Sequence, residues 1–168
     1  NDGGFAVERA VAALDLDVPV ETVPQIDRVG VADAVLQCQD VIEGPFAVIM
    51  GDVYYDLPIA PHIVAFRNAP PPAVLVEPVT GPSEHPAGVV TVEEGRVTSI
   101  DKRPLDGTER FRIAGAFAFP EGAFDAFRAA RPSTGEFELE QVMRVLMEAE
   151  AVRAVVYRGW RKNVNTPE

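Results

Sequence analysis

Phe46 to Met50 and Ala73 to Val76 are apolar at every position and show no alternation. A strand with one wet face alternates polar and apolar residues. A continuous apolar run predicts a strand covered on both faces, and only a sheet with layers on either side can do that. The material for those layers is present. Val7, Ala10, Val11 and Leu14 recur at helical spacing, closed by Pro19 and followed by a short extended stretch from Val20 to Val23. Val31, Ala34, Val35, Cys38, Val41 and Ile42 mark a second amphipathic helix that Gly44-Pro45 stops, and Ile59, Ile63 and Phe66 mark a third, ended by Pro70-Pro71-Pro72.

From Gly88 the pattern changes. "GVVTVEEGRVTSID" alternates on both sides of Glu94-Gly95, which predicts a hairpin. "RIAGAFAF" reads as a further strand, followed by a helix starting near Pro120 with Phe124 and Phe127. Leu139, Val142, Met143, Leu146 and Met147 form the most regular helical stripe, and "VRAVVY" is a last strand. Helices interleaved with apolar strands predict an α/β sheet with helices on both faces and one inserted β-hairpin, in a single domain over residues 1–168.

A net charge of −11, spread over every segment, disfavours nucleic acid and anionic membrane as partners, and suits a salt-rich cytoplasm. The single cysteine, Cys38, allows no internal disulfide and falls in a helical pattern, where a packing role is expected. No apolar stretch reaches membrane-span length, and the first residues lack the basic-then-apolar order of a signal peptide. A cytoplasmic protein is expected. His62 and His85 stand far apart and suggest no metal site.

Ligands of open α/β sheets bind beyond the carboxyl ends of the strands. Asp52 stands at such an end, two residues after Met50, with Gly51 letting the chain turn. Its carboxylate could reach a ligand or a hard cation such as Mg²⁺, or it could cap the turn before Tyr54. Upstream, "PQIDRVGVADAV" places Gln25 and Gly30 just before a helix amino terminus.

Together, "PQIDRVGVADAV", "PFAVIMGD", "GVVTVEEGRVTSIDKRP", "RIAGAFAF", "GEFELEQVM" and "GWRKNVNTPE" resemble, in order and spacing, the sugar-1-phosphate nucleotidyltransferase family. That family includes the glucose-1-phosphate thymidylyl- and uridylyltransferases. The resemblance runs from about Val20 onward and implies a Rossmann-like, glycosyltransferase-A-like fold. It implies that Gln25 and Gly30 contact the nucleobase, and that Asp52 holds Mg²⁺ between the sugar phosphate and the α-phosphate of a nucleoside triphosphate. Gly88 and Gly115 would let the backbone approach the sugar, Glu138 would accept from sugar hydroxyls, and Lys102 and Arg103 would supply positive charge. The implied partners are a nucleoside triphosphate and a sugar 1-phosphate, and a homo-oligomer is compatible with this.

Three positions depart from the family pattern. Asn163 stands where a second metal aspartate is usual, although some related enzymes carry N-x-N-T-P-E. Lys102-Arg103-Pro104 replaces Glu-Lys-Pro, removing an acid or moving its task to Asp101; Glu140-Gln141 replaces Thr-Asp. The family's opening strand and basic glycine-rich loop have no counterpart, since "NDGG" follows no strand and carries no cation. The first βα unit and a closing helix are therefore expected to be missing. A non-catalytic nucleotide- or sugar-binding module of the same fold is the competing expectation. A dinucleotide-dependent oxidoreductase is disfavoured because no G-x-G-x-x-G joins a strand to a helix.

Overall fold

The strand Ala73–Pro78, β3 in the numbering below, is buried at every position from Ala73 to Glu77. In the computed structural model, which describes residues 3–14, 16–67 and 72–164, this strand lies between two others in a mixed sheet. The elements in chain order are α1 (Gly3–Ala12), α2 (Val31–Leu36), β1 (Phe46–Ile49), β2 (Val53–Tyr55), α3 (Ala60–Arg67), β3 (Ala73–Pro78), β4 (Ser83–Glu93), β5 (Arg96–Leu105), β6 (Phe111–Phe119), α4 (Phe124–Ala130), α5 (Leu139–Ala149), β7 (Arg153–Val156) and β8 (Arg161–Asn163). The main sheet runs β1-β6-β3-β7-β5-β4, with β4 also reaching β6, and β2 pairs with β8 in a separate two-stranded sheet. The β3–β7 pair is parallel; the other pairs are antiparallel.

Side chains of a strand alternate between faces, so β3 and β6 each feed two cores. Val74, Val76, Phe117 and Phe119 join Ala32, Val35, Phe127, Val142 and Met143 on the face covered by α2, α4 and α5. Ala73, Leu75, Ala114, Ala116 and Ala118 pack with Phe66 of α3 and with Tyr157 on the other face. Helices cover both faces, as the apolar runs require.

The hairpin forms where the alternation breaks. Glu94 and Gly95 both take positive φ, 50° and 77°, and Glu93 pairs with Arg96, which is the two-residue turn that matches strand twist. In β6, Val74 and Val76 of β3 face Phe117 and Ile113, so four residues span where two would. Gly115, at φ 82°, sits in that bulge.

Three expectations need correction. β1 is an edge strand paired to β6 alone, with Ala47 and Ile49 exposed. Phe46 stacks on Phe119 and Phe124, so only one face is covered, and the apolar character of both alternating positions concealed this. The second helix stops at Leu36; the spacing continues to Val41 through tighter turns, with Cys38 N–H on the Val35 carbonyl and Val41 N–H on that of Cys38. Cys38 is half-buried there. β7 is not the last strand, since β8 follows it, and β2 was not anticipated either. Pro70 and Pro71 of the proline run, and the Thr166-Pro167-Glu168 end of the last motif, lie outside the described residues, as does the Val7 side chain.

Phe127 is fully buried, with its ring against Phe46, Phe119, Phe124 and Phe137. Phe127→Ala removes the centre of that aromatic cluster and should cost about 3–5 kcal/mol, read as a lower urea midpoint at an unchanged slope.

Candidate functional site

The two short strands missed in the sequence build the mouth of the site. Val53 of β2 pairs with Asn163 of β8, and Val164 N–H donates to the Asp52 carbonyl at 2.7 Å. This crosslink lays Asp52 and Asn163 along one hollow of about 200 Å³, whose lining also includes Gly88, Lys102, Gly115 and Glu138. Five separate sequence motifs thus converge on one space.

Asp52 does not cap its turn. Its side chain accepts no hydrogen bond among the described residues, and Oδ1 is buried without a partner. A buried, unpartnered carboxylate oxygen is costly unless something else supplies a donor or a cation. Gly51 lies in an exposed turn with open space around it and needs no special φ, so the fold itself does not demand glycine there.

The opposite wall is β5 and the start of α5. Lys102 Nζ forms an ion pair with Glu138 Oε1. Burial works against the Lys102 ammonium, but the hydrogen bond and charge of Glu138, with Glu140 and Glu136 behind it, hold its pKa above the ordinary value. Lys102 is therefore charged at neutral pH. Glu138 is aimed by its helix: its N–H donates to Gln141 Oε1 at 2.7 Å, half of a capping box, which gives Gln141 a role that its departure from the family pattern had left open.

Arg103 and Asp101 do not join this site. Successive β5 residues face opposite ways, so Arg103 turns from the hollow to pair with Glu109 and, at 3.7 Å, with Asp106. Asp101 is exposed and outside the lining. Gln25 and Gly30 also lie outside this hollow, although the neighbouring Val31 lines it. Gln25 Nε2 donates to the Gly30 carbonyl at 2.9 Å and to Asp33 Oδ2 at 3.3 Å. Asp33 is fully buried and paired with Arg131 at 3.2 Å. Gly30 is required by packing: its φ is 125°, and a Cβ would lie 2.3 Å from the Phe137 carbonyl oxygen. Gly88 is likewise hemmed in, by Ile113 and Glu140 Oε1, and Gly115 by Val53 and the Tyr55 hydroxyl.

Three charged residues at or beneath the site were not anticipated as functional. Arg161 lines the hollow with its side chain only 10% exposed; Nε donates to Glu77 Oε1 at 2.8 Å, Nη2 to the Ile113 carbonyl at 3.0 Å and Nη1 to Asn163 Oδ1 at 2.5 Å. Glu77, buried at the end of β3, also accepts from Arg112 Nε at 2.5 Å. The "GWRKN" motif contained Arg161, but nothing local marked its partner 84 positions away.

The Asn163 oxygen thus accepts from a guanidinium. Among the described residues no three His, Cys, Asp or Glu side chains converge to cage a cation. The donor chemistry fits a hard cation held by one protein carboxylate, Asp52, with the remaining oxygens coming from ligand and water, as is usual for Mg²⁺.

Glu140 borders the hollow and its carboxyl is pushed above the ordinary value by burial, the charge of Glu138 adding to this against its own backbone hydrogen bond, Lys102 and Arg144. Below the unfolded value of about 4.5 the group is neutral folded or unfolded, and imposes no charge penalty. As pH rises through the raised folded value, holding it ionised costs stability. Glu140→Gln should therefore match wild-type stability in acid and exceed it at neutral pH, as followed by denaturant unfolding across pH 4 to 8.

Residues 4–161 match the family described as nucleotidyl transferase. Among curated relatives, the UTP–glucose-1-phosphate uridylyltransferase AglF of Haloferax volcanii is 26% identical over 155 residues, covering 90% of this chain and 64% of that protein. The bifunctional protein GlmU of Methanococcus aeolicus is 25% identical over 150 residues, covering 88% of this chain and 35% of that one. This chain therefore spans less than two thirds of either relative. Solved structures share its fold. A UTP-bound UDP-glucose pyrophosphorylase of Acinetobacter baumannii superposes with a TM-score of 0.73 at 19% identity, over 95% of this chain and 60% of that one. A UDP-glucose pyrophosphorylase complexed with UDP-glucose gives 0.72 at 19% identity, over 87% and 61%. A match over nearly its whole length, on the expected fold, means that this chain belongs to the nucleotidyl transferase family.

Proposed function

We propose that this chain forms the reaction site of an enzyme that transfers a nucleotidyl group from a nucleoside triphosphate to a sugar 1-phosphate, yielding a nucleotide sugar and pyrophosphate. The observation that carries this reading is the buried, unpartnered Asp52 Oδ1 in the hollow opposite the Lys102–Glu138 pair. Two similar proteins bear names or titles with UTP and glucose 1-phosphate or UDP-glucose, which supports those substrate classes.

In this reaction a phosphate oxygen of the sugar phosphate bonds to the α-phosphorus, the bond from that phosphorus to the bridging oxygen breaks, and pyrophosphate leaves with the electron pair. Such chemistry needs reactants held in line and negative charge neutralised. Mg²⁺ held by Asp52 would supply part of that neutralisation. Lys102 adds a fixed ammonium at the hollow. Glu138 presents a carboxylate that accepts from sugar hydroxyls when Lys102 turns to phosphate. Gly88, packed against Ile113 and Glu140, lines the hollow and presents backbone without a side chain to the sugar. Gln25, with its amide N–H groups directed to Gly30 and Asp33, keeps Oε1 free to accept from a nucleobase N–H.

Mixing the protein with UTP, glucose 1-phosphate and Mg²⁺ should release pyrophosphate. Asp52→Asn, equal in size but without the charge, should lower kcat/KM by about 100-fold or more. Absence of pyrophosphate release, with UTP and the sugar phosphate both bound, would favour the non-catalytic binding module.

A further inference from the structure

Glu140 stands on the wall of the hollow at the start of α5, two residues after Glu138. Its neighbours do not hold it as a structural carboxylate is held. Beyond its own backbone N–H, no residue among those described donates a hydrogen bond to its side chain; Lys102 and Arg144 act on it through charge. Lys102 is engaged with Glu138, and Arg144 Nε donates to the Ile100 carbonyl at 2.9 Å. Burial and the charge of Glu138 make the ionised form costly, so Glu140 lowers stability at neutral pH where a structural carboxylate would raise it. Gly88 and Lys102 are partners across β4 and β5, Lys102 meets Glu138, and Glu140 Oε1 would lie 3.0 Å from a Cβ at Gly88. Two carboxylates of α5 and two hairpin positions thus mark one corner of the hollow, where Gly88 offers backbone alone. Asp101, next along β5, is exposed outside the lining and brings no acid to this corner.

Resting on the nucleotidyltransferase reading, we infer that Glu140 binds hydroxyls of the sugar 1-phosphate and makes the site selective for neutral sugars over uronic acids. An ionised carboxylate only accepts and a hydroxyl donates, so Glu138 and Glu140 suit neighbouring hydroxyls of one ring. The sugar supplies the donors that the protein itself withholds from Glu140. A sugar bearing its own carboxylate sets a third negative charge against this pair while Lys102 is drawn to the phosphate, and like charges brought together in that way reject a ligand. Stability forgone at a position on the wall of a site is the expected mark of a group kept for binding.

The test reads sugar and nucleotide binding separately, by calorimetry at neutral pH with Mg²⁺ present. The analogue α,β-methylene-UTP, whose bridge at the α-phosphorus does not break, is titrated into the free protein. Glucose 1-phosphate and glucuronic acid 1-phosphate are then titrated into protein saturated with it. Glu140→Gln and Glu140→Ala should weaken glucose 1-phosphate about tenfold or more, as for lost hydrogen bonds to a charged group, and leave the analogue unchanged. Wild-type protein should bind glucuronic acid 1-phosphate about tenfold or more less tightly than glucose 1-phosphate, and Glu140→Gln should narrow that gap. Asp101→Asn should change neither. Because Glu140→Gln is expected to be the more stable protein at neutral pH, affinity lost in it does not come from unfolding. Unchanged glucose 1-phosphate affinity in both variants, an equal weakening of the analogue, or no preference of the wild type for the neutral sugar overturns the assignment alone. Wild-type protein that binds neither the analogue nor glucose 1-phosphate overturns the underlying reading as well.

Discussion

A carboxylate buried at the end of a central strand is expensive unless it is paired, and Glu77 is paired twice. Arg112 reaches it from β6 and Arg161 from β8, so one residue of β3 ties together the central pair and the small second sheet. Without that anchor, β8 would have little to hold it, since its other partner is the three-residue β2. The position of Asn163, and of Asp52 across from it, follows from how this charge is satisfied. Removing either arginine alone would leave a buried charge short of a partner.

The other half of the site depends on a second crosslink of the same kind, nearer the solvent. Lys102 on the hairpin and Glu138 at the start of α5 lie 36 positions apart and meet across the hollow. The hairpin is set by its two-residue turn and by β6, and the helix by its apolar stripe and cap. Each element would form for its own reasons, and the ion pair records where they converge. The site is therefore a gap between two independently supported walls, and beside it the backbone of Val29 and Ala32 is hydrogen-bonded to that of Phe137.

Much of this was visible in the chain. The apolar run at β3 correctly required layers on both faces, and the alternation about Glu94-Gly95 correctly required a hairpin, because both signals arise from burial periods that residues carry locally. The Leu139 to Met147 stripe became α5 with Val142 and Met143 fully buried. What failed shares a cause. β2 and β8 are three residues long, too short to carry a period that could be detected. β1 became an edge because coverage of its second face depends on what lies beside it. Asp101 and Arg103 shared a motif with Lys102, but strand alternation sent them to the other face.

The sequence alone determined the longer elements, the two-sided sheet and the family, since periodicity and motif order are properties of the chain. It also placed Asp52 at a strand end and supplied Lys102, Gly88, Gly115 and Glu138. Only the tertiary structure decided which of these share a space, and that the oxygen of Asn163 accepts from Arg161. Pairing between residues such as Glu77 and Arg161 is a matter of distance in space, and no local pattern encodes it.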